Sequence, residues 1–217
     1  MDFQTARQHM VDSQIRPHDV TDIAIQQAFL TTPREAFLPS QLKADAYVER
    51  EIEYTPGRSL LAPRDHAKLL AAADIRADHL ILDVATGRGY SAALLSKIGE
   101  MVVAIEESEE AVAKAEETLS GLGVDNAAVV AGDLIEGAAK QGPFDRIIVA
   151  GAVETVPDAL LARLKDGGIL STIIVENGMV RGVIFTRNGD VYSRRDIFDS
   201  SARNIIDGFK REKAFVF

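Results

Sequence analysis

Between residues 79 and 175 the chain repeats one pattern: a short apolar run, a turn rich in Gly or Asp, an amphipathic stretch, then another apolar run. HLILDVAT (79–86), MVVAIEE (101–107), AAVVAGD (127–133), DRIIVAGA (145–152) and ILSTIIVE (169–176) read as buried strands. Gly89 to about Ile98, Glu109 to Leu122, and PDALLARLKDGG (157–168) read as helices between them, the last ending in a Gly-Gly stop. Strands separated by helices of this length predict a parallel sheet with right-handed crossovers, an α/β fold of the doubly wound, mostly parallel kind.

The flanks read differently. Residues 1–78 are predicted to be a mostly helical extension. Met10, Val11 and Ile15, then Val20, Ile23, Ala24, Ala28 and Phe29, recur at helical spacing, with Asp19 or Thr21 as the cap of the second helix. A loop, YTPGRSLLAPRD (54–65), follows, then a helix from Pro63 to about Ala73 with proline in its first turn. Beyond residue 176, Asn188-Gly189 between two β-rich runs predicts an antiparallel hairpin that closes the sheet. The expectation is one domain over residues 1–217, made of the extension with its loop, the 79–175 core and a C-terminal hairpin region.

Composition excludes several functions. There is no cysteine, so no disulfide framework, thiolate metal site or cysteine nucleophile. The four histidines lack metal-like spacing, so no metal is expected. The net charge is −9 without a basic tract, which disfavours nucleic acid. The N-terminus lacks a signal-like apolar run, and no apolar run approaches membrane-spanning length, so a soluble cytoplasmic protein is expected. Of the −9, −8 falls within residues 79–168, whereas residues 1–78 carry −3 and residues 169–217 carry +2.

The chemistry concentrates at predicted strand ends, where open α/β sheets bind ligands. LDVATGRGYSAALL (82–95) places Asp83, Ala85, Gly87, Gly89 and Tyr90 between a strand and a helix. Glycines there let backbone approach a nucleotide-type cofactor, and the helix start offers free N–H groups. The dinucleotide pattern GxGxxG is not met, and a plain strand-to-helix turn is the alternative. Glu106 ends the second strand, where one carboxylate can accept both hydroxyls of a ribose. Glu107, Glu109 and Glu110 crowd the same helix start as capping and surface charge, with Glu107 nearest the expected pocket. Gly132, Asp133 and Leu134 follow the third strand and can line an adenine pocket, although a turn aspartate is as common without function.

The glycine loop resembles motif I of the class I S-adenosylmethionine methyltransferases, with Ala85 at the first glycine position. RQHMVDSQI, VTDIAIQQAF, PREAFLP, GRSLLAP, LILDVATGRGYSAALL, VVAIEE and GPFDRIIVAGAVETVPDALLARLKDGGIL, in that order over about residues 5–178, resemble the protein-L-isoaspartate O-methyltransferase family. The resemblance implies a Rossmann-like sheet, S-adenosyl-L-methionine as cofactor, and methyl transfer to the free carboxylate of isoaspartyl residues in damaged proteins. It also implies a catalytic loop at 57–63. Ser59 falls on the family's threonine position and Leu61 on its serine position. Leucine offers no hydrogen bond, so Arg58, Ser59 or Arg64 are candidate replacements, against the reading that both arginines are exposed loop charges. His66 can face the acceptor or sit in the core, and Glu154 lies where acceptor-side groups occur. Three readings follow: isoaspartyl methyltransferase, the same cofactor with another acceptor, or a cofactor-binding module with little turnover.

Overall fold

The computed structural model describes residues 2–211. Two helices open the chain, α1 (Phe3–Met10) and α2 (Ile23–Thr31). Asp2 caps α1 through the N–H groups of Gln4 and Thr5. Asp22 caps α2 by accepting from Ala24 and Ile25, which displaces the expected Asp19 or Thr21. Asp19 instead takes a left-handed φ of 63° behind a π-helical turn (Val11–Ile15) and a 3-10 turn (Arg16–His18).

The stretch expected to be a plain loop is a small antiparallel hairpin, β1 (Ile52–Thr55) and β2 (Arg58–Leu60), turning at Pro56-Gly57. α3 (Pro63–Ala72) follows, with Pro63 where a missing N–H costs nothing. The core elements are β3 (Leu80–Val84), α4 (Tyr90–Leu95), β4 (Met101–Glu106), α5 (Glu109–Gly121), β5 (Ala127–Ala131) and β6 (Phe144–Val153). α6 (Asp158–Leu161), β7 (Leu164–Glu176), β8 (Met179–Asn188) and β9 (Val191–Asp199) complete it. The main sheet runs β5-β4-β3-β6-β7-β8-β9. Its first five strands are mutually parallel; β8 and β9 are antiparallel. This is the doubly wound arrangement with a C-terminal antiparallel edge.

The helix expected over 157–168 is a correction. Only Asp158–Leu161 is helical, and β7 begins at Leu164, directly opposite Phe144 of β6. Pairing of Leu164 with Phe144 of β6 outweighs the helical preference of the ALLARLK run. The Asn188-Gly189 hairpin forms as expected between β8 and β9. A second one forms at Asn177-Gly178, where φ is +51° and +76°, between β7 and β8.

Alternation along the strands sorts the core onto two faces. Ile81, Val102, Ala104 and Ile148 pack toward α1 to α5. Leu82, Val84, Val103, Ile105, Ile147 and Val149 pack on the other face with Phe144, Leu160 and Leu164.

The helical extension is held to the loop by one buried cation. Arg34 is fully buried. It donates from Nε to the Ala46 carbonyl at 2.6 Å and from Nη2 to the Leu61 carbonyl at 2.7 Å. Its guanidinium lies 4.9 Å from the Tyr90 ring centroid. Burial without an acidic partner lowers its pKa. Arg34→Met keeps the volume but strands both carbonyls. It is expected to lower unfolding free energy by about 3 kcal/mol, read as a shift in urea midpoint at constant m.

Candidate active site

The glycine turn connects β3 to α4. Ala85, Gly87 and Gly89 have φ of 58°, 59° and 91°. The turn thus demands a left-handed residue where the sequence supplies alanine, at a cost of about 1 kcal/mol. A Cβ on Gly89 would press on Leu119 of α5, and one on Gly87 would collide with the Tyr54 hydroxyl. Glycine at 87 is therefore required twice over, by dihedral and by space.

Glu106 ends β4 with 1% exposure. Its Oε1 accepts the Gly87 N–H at 2.6 Å, and its Oε2 accepts the Glu107 N–H at 3.2 Å. Arg58 approaches the same carboxylate bidentately, Nε to Oε1 at 2.8 Å and Nη2 to Oε2 at 2.9 Å. Nη2 also reaches Glu107 Oε2 at 2.9 Å. These carboxylates hold the Arg58 pKa above its usual value, against the opposing effect of burial. Tyr54, on the same hairpin, has its phenol pushed up to about 12 by burial and by the Glu106 charge.

A cleft of about 480 Å³ opens here, in the size range of small-molecule sites. Tyr54, Arg58, Gly87, Glu106, Glu107 and Asp207 are among its walls. A second hollow, sharing Glu107 and Asp207, is lined by Gly132, Asp133, Leu134, Ile135 and Gly208. The fold thus brings Gly87, Glu106 and Glu107 to one cleft at the ends of β3 and β4, and Gly132, Asp133 and Leu134 to an adjoining hollow at the end of β5 that shares Glu107 and Asp207. Asp133 closes its own turn by accepting the Ile135 N–H at 2.8 Å.

Other expected site residues lie elsewhere. Tyr90 is 1% exposed and packs edge-on against Phe29 and Phe37, inside the helical extension. Leu61 is also 1% exposed and belongs to an apolar cluster with Leu69, Ala152, Ile173 and Ala202. Ser59 donates to Glu51 Oε1 at 2.6 Å, and Glu51 Oε2 accepts the N–H groups of Arg203 and Asn204. Arg64 pairs with Asp65. Neither arginine is a free loop charge. His66 does not face an acceptor: it is 2% exposed beside Phe29 and Tyr90. Burial, then the nearby Arg34 charge, pushes its pKa down to about 3, so it is neutral. Glu154 accepts the Arg211 N–H and so secures the C-terminal segment.

Sequence reasoning missed Tyr54, Glu51 and Asp207. Tyr54 stood inside the quoted loop without a motif. Glu51 and Asp207 act only through folding: segment 200–210 returns to the sheet by a bridge from Ile205 to Ala152 and lays Asp207 against Gly57.

Asp83 lies beneath the turn, wholly buried, and neither carboxylate oxygen has a hydrogen-bond partner. The Thr86 and Ser91 hydroxyls near it are likewise unpartnered. Burial raises the Asp83 pKa to about 7, the neighbouring hydroxyls opposing the shift. A buried unpartnered carboxylate, a glycine turn and a strand-end acid suit a cationic amino-acid and nucleoside ligand. The one feature that does not is the guanidinium already seated on Glu106.

Two stability measurements check this geometry. Ala85→Gly relieves the left-handed alanine and is expected to add about 0.5–1 kcal/mol in urea unfolding. For Asp83, the unfolded carboxyl ionises near pH 4 and the folded one near 7. Across that window the unfolded chain has lost a proton that the folded chain keeps, so this group's contribution falls as pH rises. Asp83→Asn is expected to gain on the parent as pH rises from about 4 to about 7 and to keep that gain above, by at most about 4 kcal/mol, in paired thermal or urea unfolding.

The family model for protein-L-isoaspartate(D-aspartate) O-methyltransferase matches residues 5–197. A protein-L-isoaspartate O-methyltransferase of Koribacter versatilis is 39% identical over 166 residues, covering 76% of this chain and 75% of that protein. A solved protein-L-isoaspartate O-methyltransferase superposes with a TM-score of 0.80 at 24% identity, over 93% of this chain and 66% of that one, so this chain spans just under two thirds of its length. A structure from Plasmodium falciparum, described as a putative member in complex with S-adenosyl-L-homocysteine, gives 0.76 at 17% identity, over 95% and 98%. This chain belongs to the protein-L-isoaspartate O-methyltransferase family, and with it to the S-adenosylmethionine-dependent methyltransferases.

Proposed function

We propose that the protein transfers the methyl group of S-adenosyl-L-methionine to the free carboxylate of isoaspartyl residues in damaged proteins, in the cytoplasm. The observation that carries this reading is the placement of Gly87, Glu106 and Asp133 in two adjoining hollows over the ends of β3, β4 and β5, which share Glu107 and Asp207, in a chain of this family.

Each residue has a part. Glu106 is the acceptor for the ribose hydroxyls. Gly87 leaves room for the ligand against the turn. Gly132, Asp133 and Leu134 line the adenine end, and buried Asp83, whose pKa stands at about 7, gains charge when a cationic amino-acid end lies above it. The cofactor, when bound, supplies an electrophilic methyl on a sulfonium. The acceptor carboxylate is already ionised near neutral pH, so no strong base is required. What the protein contributes is alignment of oxygen, carbon and sulfur in line, whose effective molarity can replace a base. Acids around the groove favour a cationic ligand, while the near-neutral flanks leave an acidic acceptor unrepelled.

One observation favours a second reading, an acceptor other than isoaspartyl. Leu61 is core and the Ser59 hydroxyl is committed to Glu51, so neither offers the acceptor a free hydroxyl. Labelled cofactor with paired isoaspartyl and aspartyl peptides decides between them. Transfer to the isoaspartyl peptide alone is expected; transfer to neither peptide, with cofactor bound and label passing to another component of a cell extract, selects the second reading.

A further inference from the structure

The β1–β2 hairpin fills the place that the ribose reading reserves for a ligand. Each oxygen of Glu106 already accepts two donors, one backbone N–H and one Arg58 nitrogen. A carboxylate offers about four acceptor positions, so none is left for a diol. On the same hairpin, the Tyr54 hydroxyl covers Gly87. Both halves of a nucleoside site, the open glycine and the strand-end acid, are thus covered by one hairpin. The Arg58 and Glu106 side chains are 11% and 2% exposed, so the pair is little screened by salt.

The exchange is not prohibitive. Charge-assisted bonds are roughly twice as strong as the neutral hydroxyl bonds that would replace them. However, Arg58 already bonds Glu107, whose side chain is 51% exposed. A displaced guanidinium keeps that carboxylate and regains water. The far side of the hairpin stays anchored through Ser59 and Glu51. Displacement therefore opens the Tyr54–Arg58 edge rather than detaching the hairpin.

We propose that Arg58 is an internal competitor for Glu106: the cofactor ribose binds by displacing the guanidinium onto Glu107, so that Arg58 sets cofactor affinity and couples cofactor binding to opening of the β1–β2 hairpin. This rests on the cofactor reading above.

The test titrates S-adenosylhomocysteine calorimetrically into the full-length protein and Arg58→Gln, with hydrogen exchange of residues 52–60 in both. The inference expects Arg58→Gln to bind at least tenfold more tightly and to exchange faster in the hairpin before any ligand is added. It also expects ligand to speed hairpin exchange in the parent but not in the variant. Arg58→Lys, which keeps charge but loses the fork, should fall between them, and it carries the test if the glutamine variant fails to fold. Equal or weaker binding by Arg58→Gln, with the parent still binding, overturns this inference alone. Absence of binding by both folded proteins overturns the cofactor reading, and this inference with it.

Discussion

Glu106 sits at the junction of three segments that are far apart in the chain. It ends β4, accepts the amide of Gly87 from the turn after β3, and receives the guanidinium of Arg58 from the β1–β2 hairpin. A carboxylate buried to 1% exposure is tolerable only if its oxygens are satisfied. Here two backbone N–H groups and one arginine do so. The glycine turn, the strand end and the hairpin therefore share one electrostatic requirement. Any ligand entering the groove must meet that requirement in place of the arginine.

A second buried charge does comparable work on the other side. Arg34 joins the carbonyls of Ala46 and Leu61, tying the helical extension to the segment leading into α3. Leu61 is thereby fixed by its backbone while its side chain completes an apolar cluster. Leu61, which falls where the resemblance places a serine, is part of the packing. Its polar neighbours are each paired with an acid: Arg58 with Glu106, Ser59 with Glu51 and Arg64 with Asp65. Arg58, Ser59 and Glu106 are thus pre-engaged, whereas buried Asp83 and the hydroxyls beside it are not.

The parallel strands were legible because each is an apolar run bounded by Gly or Asp, and burial on both faces leaves little other choice. Gly87, Glu106 and Asp133 were legible because strand ends are the places where such sheets meet ligands. The β1–β2 hairpin was not legible. Its strands are four and three residues long, and its Pro56-Gly57 turn lies in a stretch that otherwise reads as loop. The helix expected over 157–168 stops at Leu161 because pairing with β6 is a contact between distant residues, which local periodicity does not register. Asp207 and Glu51 escaped for the same reason.

By itself, then, the amino-acid sequence determined the alternating α/β core, the strand-end placement of its glycines and acids, and a resemblance that named a cofactor class. Those properties are local, written in periodicity and turn chemistry over fewer than about twenty residues. Tertiary structure alone decided what each charge faces. Arg58 is a loop charge in the sequence and a partner of Glu106 in the fold; His66 is a candidate acceptor-side group in the one and a neutral core residue in the other. The reason is physical: the energy of a charged group depends on desolvation and on partners brought within about 3 Å, and both are set by segments distant along the chain, as Glu106 is from Arg58.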